Sequence, residues 1–125
     1  MANYDSARFS PPAPLVRIIL RNLENGLEEK NIPMLLDTGS DVTLVPRRYV
    51  GNLGLDLSSS RQFELAGFDN KKSLSQTVSL HLIFEGKTFR GEYFLIEQDY
   101  GVIGRNILNF LKIQFDEKNL LWEIL

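Results

Sequence analysis

The sequence contains no cysteine. That absence excludes a disulfide framework, a thiolate nucleophile and a cysteine-ligated zinc site. Histidine occurs once, as His81, too few for a multi-histidine metal centre or a histidine-rich relay. Neither charge dominates: 14 basic side chains stand against 16 acidic ones, a formal net charge of −2. The basic residues come singly or in pairs, Arg47-Arg48 and Lys71-Lys72, and form no stripe with interleaved aromatics, so nucleic acid is not an expected partner. No apolar run approaches the length needed to cross a bilayer. Met1–Pro14 is polar and proline-rich, without the apolar stretch of a signal peptide. The expected compartment is therefore the cytoplasm, with no membrane partner. Carboxylates remain as the obvious source of acid–base chemistry, and neither a metal nor an organic cofactor is called for.

A chain of 125 residues with 43% hydrophobic side chains and 24% charged ones is the size and composition of one domain with one core. Residues 1–13 read as a flexible leader ending at Pro11-Pro12, and residues 14–125 as the domain. From Leu15 onward, short apolar segments alternate with turn residues, which predicts an all-β fold. Strands are expected at Leu15–Leu20, Ile32–Leu36 and Val42–Val45, with Glu24-Asn25-Gly26 turning the first into the second. Pro46 opens a helical turn within 46–53. Gln62–Leu65 and Ser73–Phe84 flank a long hairpin. In its second arm Val78, Leu80, Leu82 and Phe84 alternate with more polar positions, so one face is buried. Glu85-Gly86-Lys87 turns the chain into Thr88–Ile96. A helix is expected over 105–111, then strands at Lys112–Phe115 and Leu120–Leu125.

The chemistry concentrates at Leu35-Leu36-Asp37-Thr38-Gly39-Ser40-Asp41-Val42-Thr43-Leu44-Val45-Pro46. A buried strand here delivers a carboxylate into a tight turn. Gly39 permits the backbone to pass close to it, and the hydroxyls of Thr38 and Ser40 are placed to hold or tune the acid. A second string, Gly101-Val102-Ile103-Gly104-Arg105-Asn106-Ile107-Leu108-Asn109, sets a short apolar run and a glycine before a helix start.

The first string resembles the active-site motif of aspartic proteases, in which apolar residues precede Asp-Thr/Ser-Gly-Ser/Ala. The second resembles the other motif of the retropepsins, and the hairpin between them occupies the place of the flap. Two motifs in order with a hairpin between are far more specific than Asp-Thr-Gly alone. The resemblance spans roughly residues 15–116. It implies a retropepsin-like closed barrel or sandwich with a flap hairpin and one short C-terminal helix, and an aspartic endopeptidase acting on extended polypeptide. The aspartates Asp5, Asp56, Asp69, Asp99 and Asp116 lack the Thr-Gly context, and no second half repeats the first. The chemistry needs two carboxylates sharing one proton, so the resemblance implies a C2 homodimer with one Asp37 from each chain.

The same resemblance assigns roles to the neighbours. Asp37 is the catalytic carboxylate, Thr38 bonds across the dimer axis, and Gly39 offers its backbone to substrate. Asp41 and Arg105 form an ion pair between the turn and the helix. Ser40 donates to the dyad and favours acid-side activity. Val102, Ile103, Gly104 and Asn106 carry the second motif, and Ala66, Gly67 and Phe68 belong to the flap, whose charged tip departs from the glycine- and isoleucine-rich retroviral kind. His81 reads as a surface residue, and Lys71-Lys72 as a solubilising pair. The apolar Leu120–Leu125, with Trp122, reads either as core or as the strand through which dimers pair. Two other functions compete: a catalytically silent dimerisation or peptide-binding module of the same fold, and a self-cleaving segment of a retroelement polyprotein. The Met1 start weighs toward a stand-alone product.

Overall fold

The computed structural model describes residues 1–55, 62–66 and 72–125. In chain order the strands are β1 (Ala2–Asp5), β2 (Ala13–Arg21), β3 (Glu28–Leu36) and β4 (Leu44–Pro46). A single turn of helix, α1 (Arg47–Val50), follows and tightens into a 3-10 turn at Gly51–Leu53. Next come β5 (Gln62–Ala66), β6 (Lys72–Phe84), β7 (Lys87–Ile96) and β8 (Gly101–Ile103). A second helical turn, α2 (Arg105–Leu108), precedes β9 (Ile113–Asp116) and β10 (Leu121–Ile124).

Six strands close a barrel in the order β2-β3-β8-β4-β7-β6, with β6 returning to pair with β2. The alternation in the sequence makes the interior. Val16, Ile18 and Leu20 of β2 face inward with Ile32, Met34 and Leu36 of β3, and Val78, Leu80, Leu82 and Phe84 of β6 complete the wall. The pairs Val16↔Met34 and Ile18↔Ile32 bring these side chains directly opposite one another, where cross-strand packing is strongest. β6 turns into β7 through two residues with positive φ, Glu85 at 50° and Gly86 at 76°. This is the twist-matched geometry that tight hairpins prefer. Along β3 the pairing with β2 slips by one residue between Ile18 and Leu20. Asn31, at φ 60°, takes up the extra residue as a bulge, a conformation asparagine tolerates better than most residues.

Two expectations change. Residues 1–13, read as a flexible leader, contain a strand. β1 pairs with β10 through Ala2↔Trp122 and Asn3↔Leu121, and with β2 through Tyr4↔Pro14 and Asp5↔Ala13. The cause is Tyr4, whose ring is only 8% exposed and belongs to the core cluster; Pro11-Pro12 sits in the connection between β1 and β2. The helix expected over 105–111 is one turn, Arg105–Leu108. Beyond it Phe110 and Leu111 make the tighter bonds back to the carbonyls of Ile107 and Leu108, and the chain leaves for β9.

β10 lies between β1 and β9, so both its edges are used within the chain. Trp122 is 3% exposed and stacks on Phe84, ring centroids 6.3 Å apart at 11°. Within the segment Trp122 is core, while Leu120 and Leu125 are exposed.

Candidate active site

Asp37 follows the last residue of β3, and the backbone there is held on two sides. Its N–H donates to the Ile103 carbonyl at 3.0 Å, which carries the β3–β8 ladder one residue beyond β3. Its own carbonyl accepts from Ser40 N–H at 3.2 Å, closing the turn. The Gly39 N–H donates to Asp37 Oδ1 at 2.9 Å, fixing the carboxylate by a bond to its ionised form. A Cβ on Gly39 would stand 3.1 Å from that same oxygen, so the fit has little room for a side chain. Asp37 is half-buried, while Thr38 and Gly39 are exposed.

The chain then crosses over and returns as β4, and β8 lies between the strands on either side of the turn. It is parallel to β3 and antiparallel to β4. Threading a strand there demands close backbone contact at both its ends. A Cβ on Gly101 would lie 2.3 Å from the Leu44 carbonyl oxygen, and one on Gly104 2.2 Å from that of Val42. Only glycine satisfies such distances without moving the backbone. Between them Val102 and Ile103 are buried.

From Gly104 onward the second motif reaches back to the first. The Arg105 N–H donates to the Ser40 carbonyl at 2.8 Å, and its Nη1 to the Thr38 carbonyl at 2.6 Å. One residue thus ties both sides of the exposed tip. Thr43, 1% exposed, donates its hydroxyl to Asn106 Oδ1 at 2.7 Å and accepts from the Gly104 N–H at 3.1 Å. The sequence assigns Thr43 no role of its own within the first motif. The available signal was a hydroxyl in an otherwise apolar run, which must find a partner when buried.

Several assigned roles are not realised in the chain. No Asp41–Arg105 ion pair forms among the described residues: Asp41 is exposed, and Arg105 is turned onto the Thr38 carbonyl instead. An exposed ion pair contributes little, so the bond that fastens the turn prevails. Ser40 donates its hydroxyl proton to the Val42 carbonyl at 2.7 Å; it has no second proton for Asp37 and so does not favour acid-side activity by donating to that carboxylate. In the expected flap, Ala66 ends β5 opposite Lys72, while Gly67 and Phe68 lie outside the described residues. Among the described residues there is no group of three or more side chains able to hold a metal ion, and no helix long and apolar enough to cross a membrane.

Strand order, the closed barrel and the strand of the second motif threaded between β3 and β4 define a retropepsin-like all-β fold. A solved structure of EIAV protease, complexed with the inhibitor HBY-793, is similar to it with a TM-score of 0.57. The likeness covers 78% of this chain and 86% of that one at 16% identity, which is likeness of fold. No protein-family model matches the chain, nor does any curated protein.

Proposed function

We propose that the chain is an aspartic endopeptidase, active as a homodimer in which Asp37 of each subunit meets its counterpart about a two-fold axis. The observation that supports this most is the position of Asp37: half-buried, gripped by the Gly39 N–H, at the end of β3 in a retropepsin-like barrel. One carboxylate takes a proton from water as it attacks the scissile carbonyl, and the other, protonated, donates to the carbonyl oxygen. Neither metal nor organic cofactor takes part. An extended polypeptide lies across the paired turns beneath the β5–β6 hairpin, its alternate side chains entering subsites. In this reading the Thr38 side chains, exposed in the single chain, bond across the axis. Because the pair works with one shared proton, cleavage falls as pH rises toward neutrality.

A second reading keeps the fold without the catalysis, as a dimerisation or peptide-binding module. One observation favours its peptide-binding form, which needs no second copy: both edges of β10 are occupied within the chain, so that strand is not free to pair with another.

The test is cleavage of an unstructured protein from about pH 4 to about pH 7, comparing the wild type with Asp37→Asn at several protein concentrations. Acid-favoured cleavage that vanishes in the variant, with specific activity rising with concentration, supports the dimeric protease. No cleavage by a chain shown to be dimeric supports the silent module.

A further inference from the structure

Among the described residues, most of strand β7 is paired on one side only. β6 covers it from Lys87 to Phe94, but β4 reaches it only at Phe94, Leu95 and Ile96. The Phe94 N–H donates to the Thr43 carbonyl at 3.3 Å, so the backbone of Phe94 faces the β4 side. Successive residues of a strand alternate in the side to which their amide and carbonyl point. The backbone groups of Arg90 and Thr88 therefore face the same way as those of Phe94, beyond the end of β4, where no strand pairs with them among the described residues.

Alongside this edge runs a groove of about 340 Å³, whose lining includes Phe89, Arg90, Glu92, Asn106, Ile107 and Phe110. Its two walls differ in chemistry. On the inner side Phe89 and Phe110 approach to 6.4 Å between ring centroids, beside the buried Ile107 and Tyr93. Phe110 is 77% exposed, a large apolar area left to water at the lip. On the outer side Arg90 is exposed and has no carboxylate within ion-pair distance among the described residues. It stands opposite His81 on β6. The nearest acid along the strand on that face, Glu92, accepts from the Thr77 hydroxyl.

We propose that this edge is a docking site for an extended peptide of alternating apolar and acidic residues, which adds to the sheet as a strand beside Thr88–Glu92. The open edge calls for a strand, because only an extended chain supplies donors and acceptors at the matching repeat. In an added strand the side chains alternate between faces. One set enters the groove against Phe89, Ile107 and Phe110, and the other meets Arg90 on the outside. Apolar residues suit the first and carboxylates the second. The site is separate from the Asp37 turn, and the inference stands whether or not the chain is a protease.

The test uses the full chain carrying Asp37→Asn, so that no cleavage can consume the probe. A fluorescein-labelled peptide alternating valine and glutamate is titrated by anisotropy, with its valine–lysine counterpart as control. Saturable binding of the acidic peptide is expected, weakened about tenfold by Arg90→Glu, with the lysine peptide gaining in the same variant. Phe110→Ser alters an exposed side chain and should leave the unfolding midpoint in place while weakening both peptides. In amide spectra the Thr88 and Arg90 resonances should shift on binding. Absence of saturable binding overturns the proposal, as does binding indifferent to both substitutions. So does self-association of the chain that Phe110→Ser abolishes, since the edge would then serve a second copy. Aggregation of Arg90→Glu without loss of peptide affinity also overturns it, because Arg90 would then only guard a sheet edge.

Discussion

Thr43 shows how much a single buried hydroxyl can organise. It sits between the Asp37 turn and β4, yet both its hydrogen bonds go to the second motif, to Asn106 and to the Gly104 N–H. Replacing it by valine keeps the shape and strands a buried amide without its acceptor. The expected cost is about 1–3 kcal/mol, the desolvation penalty of an unpaired buried group. Thr43→Ser, which retains the hydroxyl, should recover most of it. Urea unfolding of the two variants against the wild type measures the difference; equal losses would assign the effect to the missing methyl group. Residues of this kind are hard to read from sequence, because a threonine in a strand is ordinary and its partner lies far along the chain. Asp37, Thr38 and Gly39 were legible because the turn chemistry is local. The Asp41–Arg105 pair was not, because whether an arginine meets a carboxylate or a carbonyl depends on where the folded backbone presents each.

At the scale of elements, the periodic segments were readable and the irregular ones were not. The strands beginning at Leu15, Ile32, Ser73 and Thr88 announce themselves by apolar alternation. The first part of β3, Glu28–Asn31, is polar and exposed, and the bulge at Asn31 breaks its phase, so only the buried half was visible. β1 escaped notice because Ala2–Asp5 carries one apolar anchor, Tyr4, within a polar and proline-rich context. The β8 threading was legible only as two glycines bracketing an apolar pair. What the spacing could not give is why both are glycine: carbonyls of β4 and of the turn before it lie within 2.3 Å of where their side chains would begin. Gly104→Ala must push the backbone of Val42 and Ser40 aside, both sites being carbonyl oxygens rather than yielding side chains. The expected cost is about 3 kcal/mol, at the upper end for overpacking. Gly51→Ala is the control: nothing lies within 4 Å of its Cβ and its φ of −57° suits any residue. That change should be neutral or stabilising by up to about 1 kcal/mol. Similar losses from the two would show that close approach is not what selects glycine at 104.

For the molecule as a whole, stability has a pH dependence on the alkaline side that its tyrosines supply. Burial pushes the Tyr93 hydroxyl up to about 12, and its proton is donated to the Phe89 carbonyl at 2.8 Å. Tyr4 is also pushed up to about 12, by burial first and then by the neighbouring Glu117. Each phenol holds its proton more tightly folded than unfolded, where it titrates near 10. Their contribution is therefore complete below about pH 10 and is lost as pH rises from there to about 12. Unfolding free energies measured across that range should decline, and Tyr93→Phe should decline less steeply. The same Tyr4 decides the role of the N-terminal segment. Deleting residues 1–5 removes its ring from the core, strips β10 of one neighbour and uncovers Trp122, which is 3% exposed in the intact chain. Loss of one large buried aromatic costs about 3–5 kcal/mol, so the truncated chain should unfold at a markedly lower denaturant concentration. A removable leader would leave the midpoint where it was. The truncation also opens an edge of β10 to a second chain. If the truncated protein gains dimer while losing stability as a monomer, β1 is holding a place that a partner's strand can fill. If it gains no dimer while losing stability, the terminal sheet belongs to the subunit alone, and the proposed pairing of two Asp37 side chains would need a surface elsewhere on the barrel.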